Sequence, residues 1–168
     1  MRQLLLRSSV VAIASVLTVG GIFAVGVIAQ DATPAASPMA GATMIVLVEH
    51  NDNETNVDLG ETGPSAGDLR VWGPNPLFDA ANTADSGATT QGTCVAMNSA
   101  NDCLLNETVL FPDGSTLELH GIQLGGGVSS MRTIVGGSGQ YLGATGTVAV
   151  APTEDERFWA KTFEIVQR

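Results

Sequence analysis

Ile134-Val135-Gly136-Gly137-Ser138-Gly139-Gln140-Tyr141-Leu142-Gly143-Ala144-Thr145-Gly146-Thr147-Val148-Ala149-Val150 is the stretch on which the fold turns. Its glycine density invites a phosphate cradle, but a cradle needs a helix after the glycines, with its N-terminus at the anion. The residues after these glycines are Thr147 to Val150, β-branched and alternating, and no P-loop lysine is present. The stretch therefore reads as a tight connection between two strands. Glycine serves there where φ is positive or where backbones approach closely.

The same period of two extends outward in both directions, and no helical period interrupts it. Strand character is read at 43–50 (TMIVLVEH), 68–73 (DLRVWG), 88–98 (ATTQGTCVAMN), 103–111 (CLLNETVLF), 115–124 (STLELHGIQL), 129–135 (SSMRTIV), 147–151 (TVAVA) and 157–166 (RFWAKTFEIV). Pro112-Asp113-Gly114 is a hairpin turn signal. Asn51-Asp52-Asn53 opens a polar stretch that runs to Ala66, and Pro74 and Pro76 are expected to limit regular pairing. Eight short strands joined by turns make an all-β domain, either a closed sheet or a sandwich. An eight-stranded barrel has an interior just wide enough for side chains or one small ligand. Either Gly92, Cys94 and Ala96 point inward and leave room, or Thr93, Val95 and Met97 do and fill it.

The chain has 168 residues and a formal net charge of −10, with 7 Lys plus Arg against 17 Asp plus Glu. Met1 to Arg7 is basic, and Ser8 to Ala29 has no charge, so residues 1–29 read as a secretory signal with cleavage before Gln30. At about 22 uncharged residues, 8–29 is also long enough to stay as a membrane anchor. Either way the domain is placed outside the cytoplasm, secreted or tethered. Residues 30–43, rich in Ala, Pro, Ser and Thr, form a linker, and 44–168 form the barrel domain. Without Arg2 and Arg7 the mature chain carries −12, which argues against nucleic acid and anionic membrane surfaces as partners.

The motif IVGGSGQYLGATGTVAV resembles the GGTG-x-[FY]-x-x-A-x-G signature of the allene oxide cyclase and dirigent superfamily. Gly67-Asp68-Leu69, Gln91-Gly92-Thr93-Cys94, Phe111-Pro112-Asp113-Gly114-Ser115 and Leu119-His120-Gly121 extend the likeness over nearly all of the mature domain. The resemblance implies an eight-stranded antiparallel β-barrel with an apolar cavity, assembled as a homotrimer. For the cyclases it implies an isomerisation without a cofactor. Glu49 then falls at the buried carboxylate position, Asn51 at the water-holding position and Cys94 at the cysteine deeper in the barrel. A carboxylate in such a cavity stabilises developing positive charge, and a fixed water stabilises an oxyanion.

Two cysteines, Cys94 and Cys103, flank a hairpin turn, and outside the cytoplasm this spacing favours a disulfide. Pairing centred between Asn98 and Ser99 sets them directly opposite one another. A bridged Cys94 has no thiol for chemistry. His50 and His120 lack metal-ligand spacing, the acidic residues from Asp31 to Glu61 lack a calcium-loop pattern, and Gly137-Ser138-Gly139 is one residue too tight for a G-x-S-x-G nucleophile elbow. Asn53-Glu54-Thr55 and Asn106-Glu107-Thr108 match a glycosylation sequon. Both faces of 157–163 carry aromatics (Phe158; Trp159 and Phe163), so one face must be covered by a neighbour or a segment of the chain. Three functions are compatible with these features: a barrel that binds or orients a small apolar ligand without chemistry of its own, an isomerase acting on an oxygenated, epoxide-bearing lipid-like substrate, or an envelope interaction module.

Overall fold

The computed structural model describes residues 41–154 and 157–167; the leader and most of the linker lie outside them. Among the described residues the strands are β1 (Thr43–His50), β2 (Glu54–Val57), β3 (Leu69–Phe78), β4 (Asp85–Ala96), β5 (Cys103–Leu110), β6 (Thr116–Gln123), β7 (Ser130–Ser138), β8 (Thr145–Pro152) and β9 (Phe158–Val166). They run in the order β1-β9-β8-β7-β6-β5-β4-β3, with β1 also pairing to β3, so the sheet closes on itself. The result is an eight-stranded antiparallel barrel, with β2 added on β3.

β1 and β2 behave as one interrupted strand. Val48 and Glu49 pair with Phe78 and Leu77 at one end of β3, while Glu54 to Val57 pair with Trp72 to Leu69 at the other. The interruption faces Pro74, which has no N–H to offer a ladder. Side chains replace the missing bonds. Asn53 N donates to Asn75 Oδ1 at 2.9 Å, and Asn53 Nδ2 donates to Pro74 O at 3.0 Å. Pro74 and Pro76 thus limit regular pairing, as expected, without ending the strand: β3 runs through both, with a register shift between Trp72 and Asn75. The polar stretch after Asn53 likewise contains β2, whose four residues are all exposed and carry no apolar alternation to announce it.

The glycine-rich connection is the tight turn expected. β7 ends at Ser138, a 3-10 turn covers Gly139–Tyr141, and β8 starts at Thr145. Gly139 has φ +58°, and a Cβ there would stand 2.5 Å from Ser115 Oγ. At the Pro112 hairpin, Phe111 N donates to Ser115 O and Gly114 N to Phe111 O, both at 2.9 Å.

Alternation divides the interior into layers. Leu77, Val109, Leu117, Ile134, Phe163 and Ile165 belong to a hydrocarbon plug, with Phe111 and Tyr141 packed against it. Strand directions put this plug at the end reached by the C-termini of β3, β5, β7 and β9. The opposite end is the mouth. Gly92, Cys94 and Ala96 face inward, but the room this leaves is already taken. Trp72 lies over Gly92, and Cys94 and Cys103 are joined in a buried cluster with Trp72 and Leu105. The register pairs Cys94 with Leu105 and Ala96 with Cys103, so the bridge is diagonal rather than between directly opposed residues. The two cysteines still share a face, with Cα atoms 5.6 Å apart. On the outside, Phe158 is covered from within the chain, because His50 stacks between it (4.0 Å) and Phe78 (3.9 Å).

A Cβ on Gly92 would stand 2.5 Å from both Trp72 Cζ2 and Asn106 O. Gly92→Ala is therefore expected to lower the unfolding free energy by about 1–3 kcal/mol. A shift of the urea midpoint, read by tryptophan emission, checks this.

Candidate site at the mouth of the barrel

Between plug and mouth the barrel carries a layer of charge. Glu49, Asn75, Thr90, Glu107, Arg132 and Lys161 are all buried, each on an inward position of a different strand. Lys161, the only lysine in the sequence, is wholly inaccessible. In the ring of eight, β9 and β5 stand on opposite walls, and the Lys161 ammonium crosses the interior to Glu107 Oε1. It also pairs with Glu49 Oε2 at 2.8 Å. Arg132 Nη1 takes the other oxygen of Glu107, and Thr90 Oγ1 donates to Glu107 Oε1 at 2.6 Å. Burial alone would raise the pKa of Glu107. The charges of Lys161 and Arg132, with the hydrogen bonds from Lys161 and Thr90, outweigh it and hold the carboxyl at about 2.

Two of the three residues singled out from the sequence meet here. Asn75 Nδ2 donates to Glu49 Oε1 at 2.9 Å and to Asn51 Oδ1 at 2.8 Å, so the break between β1 and β2 delivers both to one buried amide. Glu49 is not a solvated strand end. Its two oxygens are engaged by Asn75 and Lys161, so its carboxylate works as an anchor for the ammonium. Cys94 lies apart, nearer the rim, and is bonded to Cys103. Sequence reading missed Glu107, Arg132 and Lys161. The signal for each was a charged residue in the apolar phase of a strand, as in Leu105-Glu107-Val109 and Trp159-Lys161-Phe163. Among the described residues no group of three or more His, Cys, Asp or Glu is placed to hold a metal ion.

Open space lies above this layer. A cleft of about 70 Å³ is walled by Trp72 and Trp159 and touches Glu49, Asn51, Gln123 and Arg132. Arg132 Nη2 donates to Gln123 Oε1 at 3.1 Å, while Arg132 Nε is buried with no hydrogen-bond partner. A larger groove of about 370 Å³ adjoins the cleft across Arg70, which borders both. Its walls include Val57, Pro64, Leu69 and Ala96, and the disulfide lines it. The loop over the groove is pre-formed. Asp68 accepts from Leu59 N (2.9 Å), Ser65 N (2.7 Å) and Ser65 Oγ (3.1 Å), and those backbone donors lower its pKa. Gly67 N and Ala96 N bond across to Ala96 O and Asp68 O, each at 2.8 Å, tying the loop to β4. The centre of the barrel is occupied by the plug and the charge layer, so the cavity implied by the resemblance has its open space toward the mouth.

Comparison with solved structures finds the same barrel elsewhere. A pyocyanin demethylase matches with TM-score 0.64 and 16% identity, over 74% of this chain and all (100%) of that one. A pterocarpan synthase dirigent protein matches with TM-score 0.59 and 16% identity, over 76% of this chain and 86% of that one. The Diels–Alderase AbmU of Streptomyces koyangensis matches with TM-score 0.53 and 19% identity, over 76% and 69%. At these identities the likeness is one of fold, and the fold is that of the dirigent-like β-barrels. No protein-family model matches the chain, and no curated protein matches it by sequence.

The lowered pKa of Glu107 sets a direction for acid stability. Its ordinary value is 4.5 and its folded value about 2, so its contribution is complete above pH 4.5 and is lost as the pH falls toward 2. Unfolding free energy measured in urea is expected to fall steadily from pH 4.5 to pH 2.

Proposed function

We propose that this chain is an exported barrel that binds a small, mainly apolar molecule at its mouth, without chemistry of its own. The observation that carries the reading is the 370 Å³ groove beside the disulfide, pre-formed by a loop that Asp68 holds in place. A groove of this size, apolar with a few polar groups, is within the usual range for small ligands. Barrels of this fold that carry the names demethylase, dirigent protein and Diels–Alderase support a small-molecule role. The isomerase alternative needs Glu49 free to act on a substrate, whereas both its oxygens are held from within the barrel.

Export is supported by the basic and apolar leader and by the paired cysteines. Three copies are what the family resemblance implies, and an outer surface with an apolar row supports self-association. Val95, Leu104 and Ile122 form an exposed apolar row across β4, β5 and β6, and Met131 on β7 is exposed beside them. Mass spectrometry of the exported protein without reductant tests these together. The expected result is an N-terminus at Gln30, no free thiol, and three copies under native conditions.

Naphthalene is a suitable first probe of the groove, because it is apolar and carries no functional group. Tryptophan emission is expected to report a Kd on the order of 100 μM. Val57→Phe, at an exposed position on the groove wall, should weaken binding about tenfold while circular dichroism stays that of the wild type. Absence of naphthalene binding to the folded protein would remove the reading.

A further inference from the structure

We propose that the ligand's buried end is an uncharged hydrogen-bond acceptor (a ketone, ether or hydroxyl oxygen) seated in the cleft at Arg132, and that the site rejects a carboxylate there. The inference rests on the mouth-binding reading and adds the chemistry that the cleft selects.

The cleft is small. A volume of about 70 Å³ admits a few atoms, since a water's share of liquid volume is about 30 Å³. It therefore takes a functional group, while the body of the ligand lies in the adjoining groove.

The hydrogen bonds around the cleft define the kind of group. Among the described residues Arg132 Nε is the one buried side-chain nitrogen or oxygen without a partner. Of the other two nitrogens of this guanidinium, which lines the cleft, Nη1 pairs with Glu107 and Nη2 donates to Gln123, so its five N–H groups outnumber the acceptors around them. The site thus lacks an acceptor, and a buried donor left unsatisfied is costly. A cationic or purely donating group would not answer it.

The balance of charge disfavours an anion. The cleft and the layer beneath it hold three carboxylates, Glu49, Glu54 and Glu107, and three cations, Arg70, Arg132 and Lys161. Each is already in an ion pair: Arg70 with Glu54 at 3.5 Å, Lys161 with Glu49 and Glu107, and Arg132 with Glu107. An entering carboxylate finds no cation to neutralise it. It also passes Asp58 and Asp68 on the groove wall. Burying a charge without a counter-ion is strongly unfavourable, whereas a neutral oxygen supplies the missing acceptor and leaves the balance untouched.

The test compares three ligands that share one ring system, naphthalene, 2-acetylnaphthalene and 2-naphthoate, titrated against the full mature protein at pH 7. The ketone is expected to bind about tenfold tighter than naphthalene, the value of one added hydrogen bond, and naphthoate more weakly than naphthalene. Glu54→Gln, at the surface rim of the cleft, removes one negative charge. It is expected to move the naphthoate-to-ketone affinity ratio about fivefold toward naphthoate, as for a partly exposed charge. If naphthalene binds and the ketone gains nothing, or naphthoate binds as well as the ketone, this inference is overturned while the mouth-binding reading stands. If naphthalene itself does not bind, the mouth-binding reading falls and the inference with it. An unmoved ratio in Glu54→Gln overturns the charge argument.

Discussion

The ammonium of Lys161 reaches from β9 across the barrel to Glu107 on the opposite wall, and the interior is organised around that span. A buried charge is tolerable only when paired and hydrogen-bonded. Glu107 therefore draws in Arg132 and Thr90, and Lys161 draws in Glu49, whose second oxygen is held by Asn75. Six strands are committed to one layer. Below it the side chains are hydrocarbon and packed; above it the polar groups face a cleft. Such a layer contributes less to net stability than to position, because its desolvation cost offsets much of the attraction between its charges. What it supplies is a fixed polar floor under the mouth.

The shape of the mouth depends on a second constraint, the missing N–H of Pro74. The ladder between the first strand and β3 cannot continue past it, so the first strand breaks into β1 and β2 and its residues turn toward Asn75. This break brings Asn51 and Glu54 to the cleft. The disulfide and Trp72 act on the other side, filling the face that small residues at 92, 94 and 96 had left open. Open space is thereby displaced from the barrel centre to its rim, where a loop ordered by Asp68 forms one wall.

Much of the fold was legible because its cause is local. Alternation marked the eight barrel strands, Pro112-Asp113-Gly114 marked a hairpin, and the glycines at 136–146 marked a strand connection in place of a nucleotide site. Expectations failed where an element depends on its partner. β2 has no buried side chain, so only pairing with β3 makes it a strand. The cysteines were correctly joined, but a two-residue difference in register made the bridge diagonal. Glu49 and Asn51 came from family likeness, and both are bonded to Asn75. Glu107 passed as part of a surface sequon, because its strand neighbours give no hint of a cation 54 residues away.

Period-two patterning, turn residues and two cysteines at hairpin spacing thus determine from the sequence alone that this chain is an all-β domain with a disulfide, since each is a property of neighbouring residues. The sequence also determines the strong negative charge of the domain. Which face of each strand is interior, which charges meet there and where space remains are decided only when the sheet closes. Closure sets β5 against β9 and β1 against β3, and a buried charge finds its partner across that distance, not along the chain.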